Sequence, residues 1–194
     1  MLLAARFALA LCVVTAACVS PASAARKAAH KSAPTTAPVK SAAEQPTLLG
    51  VSKSWTAYQA AAPDGKVCYA LSTPTAVLPL KSARDPIYVI ISVWTGRKVK
   101  DELQIVPGYL YKEGEPVYAQ VGRSKVEFFA RNDSRAGSAW VKDTNDEEAL
   151  VRAMRGGSTL TVSGVSSKGT KTTDTYSLSG IGTALTRAHE ACGK

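Results

Sequence analysis

The sequence is poor in histidine, and that scarcity excludes more than any residue that is present. Its 194 residues include two, His30 and His189, and His30 stands in an Ala/Lys/Pro stretch that offers nothing to hold it. A Ser-His-Asp triad needs an imidazole fixed inside the fold. Serine is plentiful, but no G-x-S-x-G elbow presents it as a nucleophile, and no P-loop is found. Long apolar runs are scarce as well. The best, Phe7 to Ala17, is about a dozen residues where roughly 20 are needed to cross a bilayer. Lys plus Arg outnumber Asp plus Glu by 24 to 15, yet no block of like charge and no basic stripe interleaved with aromatics occurs, which argues against a nucleic-acid partner. There is no internal repeat, and no motif asks for a cofactor.

What is there begins with a targeting signal. Arg6, the apolar run Phe7 to Ala17 and the closing Ala22-Ser23-Ala24 follow the order of a secretory signal peptide cut after Ala24. The expected destination is the periplasm or outer membrane, or the outside of the cell. Thr15-Ala16-Ala17-Cys18 keeps a second route open, since it looks like the box at which bacterial lipoproteins are acylated, with Thr15 where Leu is usual. Residues 25–46 are rich in Ala, Lys, Ser, Thr and Pro and have almost nothing to bury, so they read as a disordered tether. Arg26, Lys27, Lys31 and Lys40 against Glu44 give it a formal charge of +3, suited to brushing anionic surfaces such as phospholipid heads, lipopolysaccharide or wall polymers. Residues 47–194 have the length of one domain and carry 19 Lys plus Arg against 14 Asp plus Glu, a formal +5.

Of four cysteines, Cys12 and Cys18 fall in the signal. Cys68 and Cys192 remain, and in an oxidising compartment two thiols allow one intramolecular bridge. It ties the start of the domain to its end and serves stability.

The domain reads as many short strands. Lys66–Leu71 follows the turn residues Pro63-Asp64-Gly65, and Ile87–Trp94 is apolar on both parities and rich in β-branched residues, the best core strand. Asp101–Val106 stops at Pro107-Gly108. Tyr109–Tyr111 and Val117–Val121 are spaced as a hairpin, followed by Lys125–Ala130 and Ala139–Val141. Thr144 with Glu147 reads as a capping box for a helix running to Arg155 and stopped by Gly156-Gly157. Ser158–Ser163 and Lys171–Leu178 form a second hairpin across Ser166 to Gly169. Ile181, Leu185 and Ala188 fall at helical spacing in a last helix that carries Cys192. The expected fold class is all-β, a sandwich with two short helices.

Candidate chemistry is thin. His189 and Cys192 are spaced i, i+3, but no third or fourth ligand is indicated and a bridged Cys192 cannot bind metal, so no metal site is expected and His189 reads as a surface residue at a helix end. Gly180-Ile-Gly182 lacks the third glycine and the βαβ frame of a dinucleotide fingerprint. Asp101-Glu102, Glu113/Glu115 and Asp146-Glu147-Glu148 are pairs that spacing alone cannot place across a cleft. Tyr109, Tyr111 and Tyr118 with Lys112 are the candidate binding patch, with half-buried strand positions as the plainer reading. No catalytic residue is assigned.

The domain resembles the invasion-associated locus B family of alphaproteobacterial envelope proteins. The resemblance is carried by Ser54-Trp-Thr-Ala-Tyr58, Val67-Cys-Tyr-Ala-Leu-Ser72 with Pro74, and Arg84-Asp-Pro86 before the apolar strand. It continues through Ala139-Trp-Val141, Leu150-Val-Arg-Ala-Met154, Gly169 to Gly180 and the closing Cys192. It implies an immunoglobulin-like β-sandwich, export and, for family members in blood-borne pathogens, a part in entering erythrocytes, and it brings no catalytic motif. Two functions follow as expectations. One is a non-catalytic envelope or surface interaction protein with an anionic envelope or host-surface partner; the other is an enzyme acting on an envelope polymer, which requires a cleft with converging carboxylates.

Overall fold

The computed structural model of the chain describes residues 45–80, 83–97 and 100–193. The signal peptide and residues 25–44 of the tether lie outside the described residues. Eleven strands and two helices follow in order: β1 (Thr47–Ser52), β2 (Trp55–Ala62), β3 (Gly65–Ser72), β4 (Ala76–Leu78), β5 (Tyr88–Trp94), β6 (Glu102–Val106), β7 (Val117–Val121), β8 (Ser124–Asn132), β9 (Gly137–Val141), α1 (Thr144–Gly156), β10 (Thr159–Val165), β11 (Lys171–Ser177) and α2 (Ile181–Cys192).

All strand pairings are antiparallel, in the order β1-β2-β3-β5-β6-β9-β8-β7-β10-β11-β4. The period-2 alternation of side chains explains how one sheet makes a core. Opposed residues such as Ala57, Ala70 and Ile91 on β2, β3 and β5, then Leu103 on β6, share one face. On the far half, Val126, Ala119, Val162 and Asp174 do the same across β8, β7, β10 and β11. These residues are buried, and a single apolar cluster includes the apolar ones of both halves. The halves therefore enclose a common interior, as in a sandwich, although the strands run in one continuous sheet. Three residues, Thr73 to Thr75, carry the chain from β3 to β4 at the far edge. The Trp55 indole donates to the Ser177 carbonyl (2.9 Å) and the Ser54 amide to Ser179 (3.2 Å), joining β2 to the end of β11.

The all-β class with two helices is thus what the chain adopts, and three local readings change. β1 and β2 carry no strong strand signal, because Gly50 and the run Ala60-Ala61-Ala62 are poor strand formers; packing of α2 on both strands holds them. Tyr109–Tyr111 is no strand, and only an isolated bridge joins Tyr111 to Ser166. Val117–Val121 instead forms its hairpin with β8 through Gly122-Arg123 and pairs on its other side with β10. The capping box is not formed either. Asp143 is the N-cap of α1, its carboxylate accepting from the amides of Asn145 and Asp146, while Glu147 turns inward. The entry to α2 depends on Gly180, whose φ is +95° and whose added Cβ would meet the Ser52 carbonyl; only glycine fits there.

Candidate functional site

The structure joins one set of sequence-selected residues and scatters another. Cys68 on β3 and Cys192 at the end of α2 form a disulfide, with 5.9 Å between their Cα atoms. With Val93 and Ala188 they make a small second core that seats the helix end on the inner sheet face. The tyrosines do not converge. Tyr111 is buried and meets Tyr109 edge-on at 5.4 Å, whereas Tyr118 points outward from β7 with the Lys125 ammonium 3.9 Å from its ring centre. Lys112 is exposed and pairs with Glu115. The reason is chain direction: Tyr109 and Tyr111 belong to a segment that crosses the end of the core, not to a strand beside Tyr118.

Around those two tyrosines lies a buried polar cluster that is structural. The Arg84 guanidinium forks onto both Asp174 carboxylate oxygens and donates to the Pro107 carbonyl, and both side chains of the pair are almost wholly buried. Burial raises the Asp174 carboxyl above its usual range even though Arg84 pulls it down. Tyr109 shares a 2.6 Å hydrogen bond with Thr172, and its hydroxyl is raised by burial. The Tyr111 and Tyr176 hydroxyls are buried without a hydrogen-bond partner, and burial drives both upward. Arg84 thereby pins the segment leading into β5 across β11.

His189 is not the surface residue expected. Its Nε2 lies 2.6 Å from the Asp101 carboxylate, and both side chains are largely buried, so α2 is tied to the start of β6. Glu147 adds a second tie. Its Oε1 accepts from the Leu103 amide at 2.7 Å, taking the place of a strand partner one residue beyond the last β6–β9 pair. Burial, helped by the neighbouring Glu102 and Asp101 charges and opposed by that hydrogen bond, pushes the Glu147 carboxyl up to about 7. Among the described residues no group of three or more His, Cys, Asp or Glu side chains could hold a metal ion.

The outer sheet face holds the surface feature of interest. Leu71, Ile90, Gln104, Trp140 and Phe129 stand side by side across β3, β5, β6, β9 and β8, all half-buried. The Phe129 and Trp140 rings lie 6.0 Å apart and tilted by 30°, with the Arg131 guanidinium 5.5 Å from the Phe129 centroid. Beside them Arg97 covers Trp94 at 3.8 Å, and the Trp94 indole donates to Glu102 at 2.7 Å. A shallow cleft of about 370 Å³ opens between Glu102, Phe129, Arg131, Trp140, Thr144 and Glu147. The sequence signals for it were present but separate: Ala139-Trp-Val141 and Lys125–Ala130 read as two strands, and only the β6-β9-β8 register unites Trp140 with Phe129.

A rolled antiparallel β sheet, with the last helix stapled to its third strand and an aromatic cleft on its outer face, defines a small all-β domain with two helices. The chain belongs to the family described as invasion associated locus B (IalB) protein, which matches residues 55–189. Among solved structures it is similar to the crystal structure of invasion associated protein B from Bartonella henselae, with a TM-score of 0.53 and 17% identity over 75% of this chain and 98% of that one. That likeness is one of fold. No curated protein matches the chain.

Proposed function

We propose that this protein is a non-catalytic binding protein of the bacterial cell envelope or cell surface, exported by its amino-terminal signal and directed to an anionic envelope or host-surface partner. The observation that carries the reading is the outer sheet face, where aromatic rings are paired with nearby cations: Arg97 from the turn after β5 on Trp94, Arg131 beside Phe129 on the same strand, and Lys125 across the β7–β8 pair on Tyr118. Rings that offer flat area at small entropic cost, next to fixed guanidinium or ammonium groups, are what recurring recognition surfaces use. The formal charge of +3 on residues 25–46 and +5 on residues 47–194 adds long-range attraction to negatively charged surfaces. A part in host-cell interaction is supported by family membership and by the name of the Bartonella protein. In the described residues no helix is long and apolar enough to cross a membrane.

The test is sedimentation of the mature protein with purified outer-membrane vesicles, anionic phospholipid vesicles and neutral vesicles. Retention on the first two, weakening as salt shortens the Debye length from its roughly 8 Å at physiological strength, is expected. Absence of retention above the neutral control contradicts the reading. Turnover of a wall or lipid polymer by the same preparation puts an enzyme in its place.

A further inference from the structure

We propose that the cleft formed by Glu102, Phe129, Arg131, Trp140, Thr144 and Glu147 is a saccharide subsite that seats a pyranose ring of an envelope or cell-surface glycan. The inference rests on the surface-binding reading above and names the ligand of that face.

The floor is aromatic. Phe129 and Trp140 are register partners on β8 and β9, with ring centres 6.0 Å apart and an interplanar angle of 30°, and both are half-exposed on the solvent side of the sheet. An aromatic face carries the negative lobe of the ring quadrupole. The axial C–H bonds of a pyranose, drawn positive by the adjoining oxygens, meet such a face well, whereas a purely apolar ligand would leave the rim groups dry and unpaired.

The rim supplies donors and acceptors of different kinds, which suits a polyol. Glu102 is an acceptor held in place by the Trp94 indole at 2.7 Å. Arg131 is a planar donor at the Phe129 end, and the Thr144 hydroxyl can do either. Glu147 enters from the first turn of α1 with one oxygen occupied by the Leu103 amide. Because burial lifts its carboxyl to about 7, a share of it is protonated at neutral pH and can donate.

Charge balance selects the ligand class. The Glu102 carboxylate is partly offset by Arg97 at 3.9 Å, and the cleft lining adds the Arg131 cation to a Glu147 that is in part protonated at neutral pH. The cleft therefore carries little net charge, unlike a phosphate site, which wants converging cations, or an aromatic cage for ammonium, which has no guanidinium beside it. Its size, about 370 Å³, is at the small end of the roughly 300–1,000 Å³ of small-ligand pockets. The ring-bearing residues stand on paired strands, so the floor is formed before the ligand arrives.

The three tryptophans give a direct readout. The mature protein, labelled with ¹⁵N, is titrated with chitotetraose, cellotetraose and oligogalacturonate, and separately with tetralysine and inorganic polyphosphate, while the indole resonances of Trp55, Trp94 and Trp140 are followed. A saturable shift of Trp140, with a smaller one at Trp94 and none at the buried Trp55, is expected with at least one saccharide. Trp140→Ala should weaken that binding about tenfold or more, a loss typical of a central aromatic anchor. Glu102→Gln and Arg131→Ala, which remove no core volume, should weaken it too, so misfolding of the tryptophan variant cannot decide the matter. If no saccharide moves Trp140 at millimolar concentration, or only tetralysine or polyphosphate does, the subsite is refuted. Should saccharides fail while vesicles still retain the protein, the subsite alone falls; should both fail, the surface reading falls with it. A saccharide that binds and is then cut upholds the subsite and overturns the non-catalytic reading.

Discussion

Glu147 shows how far a residue's role can depart from its sequence context. Its place three residues after Thr144 spells a capping box, but the stronger demand is the Leu103 amide left without a strand partner where the β6–β9 pairing stops. A buried amide without a partner costs about 1–3 kcal/mol, more than the alternative cap is worth when Asp143 already serves the helix. Glu147 titrates higher in the fold than in the unfolded chain, so between about 4.5 and 7 the folded state binds more protons. Stability from this residue is complete below the unfolded value and is lost as pH rises through about 7. Urea unfolding of Glu147→Gln, which keeps an acceptor for Leu103, should therefore show a flatter dependence across that window than the parent. An unchanged slope would remove the assignment. Arg84 and Asp174 make a second residue-scale case, because breaking a buried pair on one side leaves the other charge uncompensated. Asp174→Asn should lower stability by about 3–5 kcal/mol, and the double replacement Arg84→Met with Asp174→Leu by less than that. Strictly additive losses in the corresponding thermal melts would show that the two side chains act independently.

At the scale of elements, the disulfide decides how α2 is held. It closes a separation of 124 residues, and bridges over such spans contribute on the order of 2–5 kcal/mol. Replacing both cysteines, Cys68→Ala with Cys192→Ala, should lower the melting temperature by about 10 °C, taking about 2–4 °C per kcal/mol for a chain of this size. Hydrogen exchange should rise first in α2 and in β1 and β2 beneath it. Uniform acceleration through the whole sheet would show instead that the bridge stabilises the domain as a unit. The β10–β11 hairpin and both helices were legible because their periodicity is uninterrupted and their stops are glycines. β1 and β2 were not, since Gly50 and the alanines from Ala60 to Ala62 follow no strand preference and are fixed by a helix more than a hundred residues later. Val117–Val121 was recognised as a strand but matched to the wrong partner, because spacing alone could not separate Tyr109–Tyr111, which covers the end of the core, from β8.

For the whole molecule, class was readable and closure was not. Alternating apolar residues announce a two-faced antiparallel sheet, but whether eleven strands split into two sheets or continue as one depends on pairings such as Gln104 with Trp140, which no local pattern specifies. The same pairing assembles the cleft, so the candidate site was as hidden as the topology that makes it. The disulfide was the part of the interior that composition could reach; the buried Arg84–Asp174 pair was not, because Arg84-Asp-Pro86 carries no local sign of burial. The outer aromatic face is the surface by which we propose that the protein binds the envelope. The most direct test is the affinity of the mature protein for purified outer-membrane vesicles, measured for the parent and for Trp140→Ala with Arg131→Ala, both shown to melt cooperatively. A fall in affinity of about tenfold or more, with Arg152→Ala on the exposed side of α1 unchanged, is the predicted result. Equal affinity of parent and double variant would contradict it.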